Sequence, residues 1–270
     1  MRRVCLRALL GLAGLIAGSV LHAETLTEPN EIVARANLAA YYAGVDGRAE
    51  VRMIIRDAQG REQRRQFTVL RRDIEDGSDQ DFLVVFSHPS DVRGTVYLVK
   101  KHVETDDDRW LYLPGLDLVK RISAGDERTS FVGAHYFYED VSGRSPDEDT
   151  HVLTETTEAF YVLKHTPKDP SKVEFSSYIT RIDRSTFLPM MIEYLNAAGR
   201  VYRSVEVIEV TEIGGHPTVT KSRVSDLDGK GQTNMEFRFI AYDLGFPEEV
   251  FTERSLRRPP RDWLKRPPNK

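Results

Sequence analysis

Apolar residues fall on both faces of the strands predicted between residues 82 and 113. In Trp110-Leu111-Tyr112-Leu113, the period of two sends Trp110 and Tyr112 one way and Leu111 and Leu113 the other. Phe82 to Phe86 and Val96 to Val99 read the same way. A sheet that is apolar on both sides requires a cover on each side. The last hairpin is different. Met235, Phe237 and Phe239 alternate with Glu236, Arg238 and Ile240, so one face is dry and the other mostly wet.

The remaining strand candidates are Ala49 to Arg56, Gln63 to Arg72, Leu118 to Ile122, Phe160 to His165, Val173 to Ile182, Met190 to Leu195, Val201 to Thr211 and Thr218 to Asp226. Turn chemistry separates several of them: Asp57-Ala58-Gln59-Gly60, Asn196-Ala197-Ala198-Gly199, Gly214-Gly215 and Asp228-Gly229-Lys230-Gly231. Before them lies one amphipathic helix. Thr27 reads as its N-cap, Glu28 and Glu31 occupy the first turn, Ile32, Val33, Ala36, Ala39 and Ala40 recur at helical spacing, and Gly44 stops it. No helices alternate with the strands, which excludes parallel βαβ units. The fold class is therefore mainly β: an open antiparallel β-barrel, or half-barrel, of about eleven strands. An N-terminal helix flanks it, and a helical or looped lid covers an apolar concave face. The lid is the stretch from Ser123 to Asp149, which is too long for a hairpin connection and lacks strand alternation. Its aromatics Phe131, Phe137 and Tyr138 are expected to face inward.

The ends add context. Arg2, Arg3 and Arg7 precede an apolar run from Ala8 through Leu21, and His22-Ala23 is followed by polar residues. That pattern predicts a secretory signal over 1–23, cleaved after Ala23. The run is shorter than the roughly 20 residues of a membrane span, which disfavours an uncleaved anchor. Cys5 is the single cysteine and lies before the apolar run, so a lipid anchor on a cysteine directly after it is not expected. Disulfides and thiolate chemistry are likewise not expected of the mature chain. Losing the three arginines takes the net charge of −4 three units lower, to −7, which points away from nucleic acid. The expected layout is a signal over 1–23, one β domain over 24–256, and a basic proline-rich tail over 257–270. Within that tail Trp263 and Leu264 sit between Arg257-Arg258-Pro259-Pro260-Arg261 and Lys265-Arg266-Pro267-Pro268. The tail is open to two readings, a loosely packed terminus or a docking arm.

No catalytic signature is present: no Gly-x-Ser-x-Gly, no phosphate-cradling glycine loop and no His-Glu-x-x-His. The histidines are scattered without ligand spacing, and Asp226-Leu227-Asp228-Gly229-Lys230-Gly231 is explained better by turn chemistry than as a calcium loop. An enzyme, a metal and a cofactor are accordingly not expected. Candidate groove residues are Phe82, Val84 and Phe86, Trp110 and Tyr112, the lid's Phe131, Phe137 and Tyr138, Met190 and Ile192, and Met235, Phe237 and Phe239. Flat rings and flexible methionine suit cargo of variable shape. An ordinary packed core is the competing reading for each of them. Arg93, Lys100 and Lys101 are candidates for contact with an acidic headgroup.

The motifs Trp110-Leu111-Tyr112-Leu113-Pro114, Lys120-Arg121-Ile122, and Ser130-Phe131-Val132-Gly133 with Tyr138-Glu139-Asp140 resemble those of the periplasmic LolA-like, or outer-membrane lipoprotein-sorting, proteins. The resemblance implies an incomplete antiparallel barrel whose apolar face binds acyl chains and catalyses nothing. It implies a periplasmic carrier of lipid or lipoprotein acyl chains between inner and outer membrane, making transient membrane contact, with an inner-membrane RND/MMPL-type transporter as partner. The alternative it brings is a regulatory module similar to the envelope-stress regulator RseB, which senses lipoproteins and binds a signalling partner. One acyl chain of about 16 carbons, at about 0.8 kcal/mol per methylene, gains on the order of 10 kcal/mol on burial, enough to hold a lipid without polar recognition.

Overall fold

Thirteen strands form one open antiparallel sheet in the computed structural model, which describes residues 25–266. The signal expected over 1–23, with Cys5, lies outside the described residues, as do the last four residues of the tail. Helix α1 (Pro29–Tyr41) comes first. The first half of the sheet is β1 (Asp46–Arg56), β2 (Glu62–Asp73), β3 (Gln80–His88), β4 (Val96–Lys101), β5 (Asp108–Leu113) and β6 (Leu118–Ile122). A long connection containing the short helix α2 (Glu139–Ser142) leads to the second half. That half comprises β7 (Asp149–Thr156), β8 (Phe160–Pro167), β9 (Ser177–Asp183), β10 (Pro189–Leu195), β11 (Val201–Ile213), β12 (His216–Asp226) and β13 (Gly231–Tyr242). The spatial order is β6-β5-β4-β3-β2-β1-β13-β12-β11-β10-β9-β8-β7. Each half is a meander, and the β1–β13 pairing joins them. Among the described residues no helix is long and apolar enough to cross a membrane.

The sheet has thirteen strands against the eleven or so expected, and the one with no candidate segment in the sequence is β7. It is an edge strand, paired only with β8, and most of its residues are exposed or half-buried. Thr150, Val152 and Thr154 lie in solvent on one face, so no apolar alternation marks it. The helix begins at Pro29 with Glu28 as N-cap and no side-chain cap, one residue later than Thr27 would place it. Proline at the first helical position needs no N–H partner and has a suitable φ.

The two apolar faces of β3, β4 and β5 have two separate covers. Phe82, Val84, Phe86, Tyr97, Val99 and Leu111 pack under the 123–148 connection, with Phe131, Ala134, Tyr136 and Tyr138 set onto them. Leu83, Val96 and Leu98 face the other way, beneath Phe246, Val250, Phe251 and Leu256 of the C-terminal segment. Helix α3 (Arg254–Arg257) and helix α4 (Arg261–Leu264) complete that second cover, and Trp263 meets Phe246 edge-on at 5.1 Å. The expected tail is thus built into the fold as far as Arg266. Arg266 pairs with Glu50, and the buried Arg48 donates to the Leu264 carbonyl at 2.7 Å. A third cluster seats α1 through Ile32 and Ala36 on Tyr161, Leu163 and Ile182 of β8 and β9.

Candidate binding cavity

Helix α1 lies over the second half of the sheet, seated by Ile32 and Ala36, and its next turn carries only small residues on the inward side. Ala36, Ala39 and Ala40 border an open cavity of about 430 Å³ between the helix and the strands. Its floor includes Ile182, Leu188 and Ile192, with Val205, Val207 and Phe237 alongside, and Phe82 closes one side. Tyr136, Val141 and Gly143 of the lid close another. The lining is mainly apolar, as ligand cavities of this size usually are.

The lid is fastened at many points. Phe131 is fully buried and meets the rings of Phe86 at 5.7 Å, Tyr97 at 5.5 Å, Tyr138 at 5.5 Å and Phe67 at 6.1 Å. Tyr136 shares a 2.8 Å hydrogen bond with Ser222, and the His135 N–H donates to Thr233 at 3.0 Å. Buried Lys101 donates to the carbonyls of Ser142 (2.8 Å) and Gly143 (2.7 Å), two of the unpaired carbonyls that end α2. Burial pushes the Lys101 pKa down. Arg203 pairs with Asp140, and Arg128 with Glu139 and Glu174. Arg144 holds Asp149 through two nitrogens at 2.9 and 3.1 Å. Burial pushes the Glu127 carboxyl up to about 7, although Arg109 donates to it at 2.6 Å.

The expected groove residues divide into four groups. Phe82, Ile192 and Phe237 line the cavity. Val84, Phe86, Phe131, Tyr138 and Met235 lie on the same face but are packed into the core beneath the lid, where the protein's own side chains fill the space. Phe137 carries two guanidinium groups over its ring, that of Arg203 at 4.3 Å and that of Arg128 at 5.1 Å. The structure corrects the other four. Trp110 and Tyr112 occupy the opposite face, beneath the C-terminal segment. Alternation placed them together correctly but carried no information about which face holds the cavity. Met190 is the extra residue of a bulge, where β9 and β10 shift register between Pro189 and Met191, and it does not join the lining. Phe239 sits at a second bulge with φ +49 and is 49% exposed, with the Arg266 guanidinium 3.6 Å over its ring. Past that bulge the inward positions become Ile240 and Tyr242, both of which line the cavity.

The proposed headgroup contacts are otherwise engaged: Lys101 in the lid, Lys100 with Asp81 at 2.8 Å, and Arg93 with the Ser87 carbonyl at 3.3 Å. Residues that sequence reasoning missed include Tyr41, Tyr194 and Ile240. The alanines on the apolar stripe of α1 were the available signal for an unfilled space. Also missed was a cross-strand pair, His151 and His165, with Nδ1 atoms 2.7 Å apart. His151 Nε2 donates to the Pro146 carbonyl at 3.0 Å, so its Nδ1 accepts from His165. His165 Nε2 then accepts from Thr180 at 2.8 Å. Burial, reinforced by His151, lowers the His165 pKa to about 3. Among the described residues no group of three or more His, Cys, Asp or Glu side chains is placed to hold a metal.

A family model described as "Uncharacterized protein" matches residues 78–258. A DUF1329 family protein from Desulfovibrio piger is similar at 28% identity and TM-score 0.77, over 84% of this chain and 97% of that one. A Vibrio parahaemolyticus domain assigned as an outer membrane lipoprotein-sorting protein shares 24% identity and TM-score 0.76, over 85% and 98%. The LolA superfamily protein NE2245 from Nitrosomonas europaea shares 18% identity and TM-score 0.65, over 85% and 99%. The last two likenesses establish the LolA-type fold. A search of curated proteins found no match.

Proposed function

On the premise that the chain belongs to the family matched over residues 78–258 and has the LolA-type fold, we propose that it is a periplasmic carrier of lipid or lipoprotein acyl chains. One observation carries this reading: the open, mainly apolar cavity between α1, the lid and the sheet, which the alanines of α1 leave unfilled. The site is read as binding rather than catalytic, because the charged groups around it are engaged in holding the lid. Phe82, Ile192 and Phe237 are the proposed contacts from the original groove set, with Ile240 and Val205 added. An inner-membrane RND/MMPL-type transporter is the proposed partner, through transient membrane contact. Support for that partner comes from the resemblance of the 110–114 and 130–140 motifs alone.

The test fills the cavity from its open side. Ala40→Trp places an indole on an exposed face of α1 that borders the cavity. Lipid-stripped wild-type protein is expected to take up acyl chains from vesicles and show them by native mass spectrometry. Ala40→Trp should lose at least tenfold in uptake with an unchanged circular dichroism spectrum and melting temperature. Equal uptake by the variant would refute the assignment of the cavity, and a wild-type protein that never acquires lipid would refute the carrier.

A further inference from the structure

Helix α1 borders two cavities. Ala36, Ala39 and Ala40 line the apolar one, whereas Asn30, Ala34 and Leu38 line a second, of about 620 Å³. Val33 and Asn37, one turn apart on the helix, border both, and so does Pro146 at the end of the lid. The two spaces therefore adjoin along a rim made by the Val33–Asn37 ridge and Pro146. Beyond that rim the second cavity is walled by Asp76 and Gly77 of the β2–β3 turn, and by Asp147 and Lys168 on either side of the β7–β8 hairpin. Leu38 lies against the turn: a Cβ on Gly77 would meet its Cδ2 at 3.7 Å.

The second cavity differs from the first in chemistry, because charged side chains of both signs border it. Some of them are engaged within the fold. Lys101 donates to the carbonyls of Ser142 and Gly143, and Asp149 accepts from Arg144 and from the Tyr178 hydroxyl at 2.7 Å. Others are available. The carboxylates of Asp76 and Asp147 form no ion pair among the described residues, and the Lys168 ammonium meets a backbone carbonyl, that of Asp147, at 2.7 Å. An ammonium has three donors, so Lys168 retains two. A group with a single charge entering this space would meet its own sign as well as the opposite one. A group carrying both charges can satisfy both.

We propose that the second cavity holds the zwitterionic head of the lipid whose chain occupies the first, the ammonium toward Asp76 and Asp147 and the phosphate toward Lys168. This inference rests on the carrier reading and sharpens it to a ligand class. A chain buried in the apolar cavity cannot draw its polar end in after it without a heavy desolvation cost. The adjoining cavity across the Val33–Asn37 rim gives that end polar partners within the same molecule. Half-exposed charge contacts are individually weak, so the selectivity comes from the several acting together.

The test uses three probes with the same 16-carbon chain length: palmitoyl lysophosphatidylethanolamine, palmitoyl lysophosphatidylglycerol and hexadecane, each delivered on cyclodextrin to the lipid-stripped full chain. Wild type should bind the zwitterionic probe roughly tenfold more tightly than either other one, equivalent to about 1.4 kcal/mol. Asp76→Asn/Asp147→Asn should remove its advantage over the anionic probe. Ala34→Trp places an indole on an exposed position that borders the second cavity and not the first. It should remove the advantage over hexadecane while hexadecane itself binds as to wild type, which also reports that the apolar cavity is intact. Equal binding of the two lysolipids by wild type, or a preference that survives both variants, overturns this inference and leaves the carrier standing. Binding of none of the three overturns both.

Discussion

Phe131→Ala tests whether the lid is a fixed part of the core. Phe131 is 1% exposed and meets four aromatic rings between 5.5 and 6.1 Å away, three of them on β2, β3 and β4. Truncating a fully buried phenylalanine removes its transfer free energy and leaves a cavity, at a cost of about 4 kcal/mol. The lost edge-to-face contacts are part of that figure and are not added to it. The urea midpoint should fall with an unchanged slope, and melting should drop by roughly 10 °C for a chain of this size. The vacated space is apolar and walled by Phe67, Phe86, Tyr97 and Tyr138. It should stay dry and admit benzene, which would recover part of the loss by binding only the native state. Hydrogen exchange at residues 130–138 should rise before exchange in β3 and β4 does. A loss under about 1 kcal/mol, with no benzene effect, would refute the reasoning and make the segment a loosely laid flap.

Two further perturbations address other parts of the fold. His165, at 2% exposure, has a folded pKa of about 3 against 6.5 when free, so between those values the unfolded chain binds a proton that the native state refuses. Its contribution therefore falls as pH drops below 6.5, by about 2 kcal/mol at pH 5. Glu127, raised to about 7, and Asp73, raised to about 6, act in the opposite sense: they keep protons the unfolded chain has lost, and their penalty is relieved as pH falls through those values. Urea stability of wild type and His165→Asn should accordingly converge by about 2 kcal/mol between pH 7 and pH 5, and parallel curves would contradict the buried neutral pair. Trp263→Ala should cost about 2 kcal/mol, less than a fully buried residue because Trp263 is half-buried. Trp110, the only other tryptophan, lies in the same cluster, so its fluorescence should shift to the red; unchanged emission would mean that the C-terminal segment does not cover this face.

Much of the architecture was legible because strand pattern is local. Short apolar or alternating runs marked candidates that overlap twelve of the thirteen strands, turn residues separated many of them, and apolar residues on both sides of β3, β4 and β5 required two covers, which the structure provides. The stripe of Ile32, Ala36 and Ala40 announced α1, and the unpatterned aromatics after Ser123 announced the lid. The edge strand β7 escaped because solvent on its outer side removes the alternation that burial imposes.

The assignment of faces needed the tertiary structure. Alternation says that Trp110 and Leu111 point apart, but only the packing of the lid on one side and of Phe246 and Trp263 on the other decides which looks toward the cavity. Bulges at Met190 and Phe239 changed which residues of β10 and β13 point inward, and the pairing of His151 with His165 arose from register across two strands. The cavity itself exists because alanines on one helix meet strands more than a hundred residues later in the chain. A local pattern fixes the direction of each side chain relative to its neighbours. Whether the space it points into is filled depends on contacts between residues distant in sequence, and no single stretch of sequence contains them.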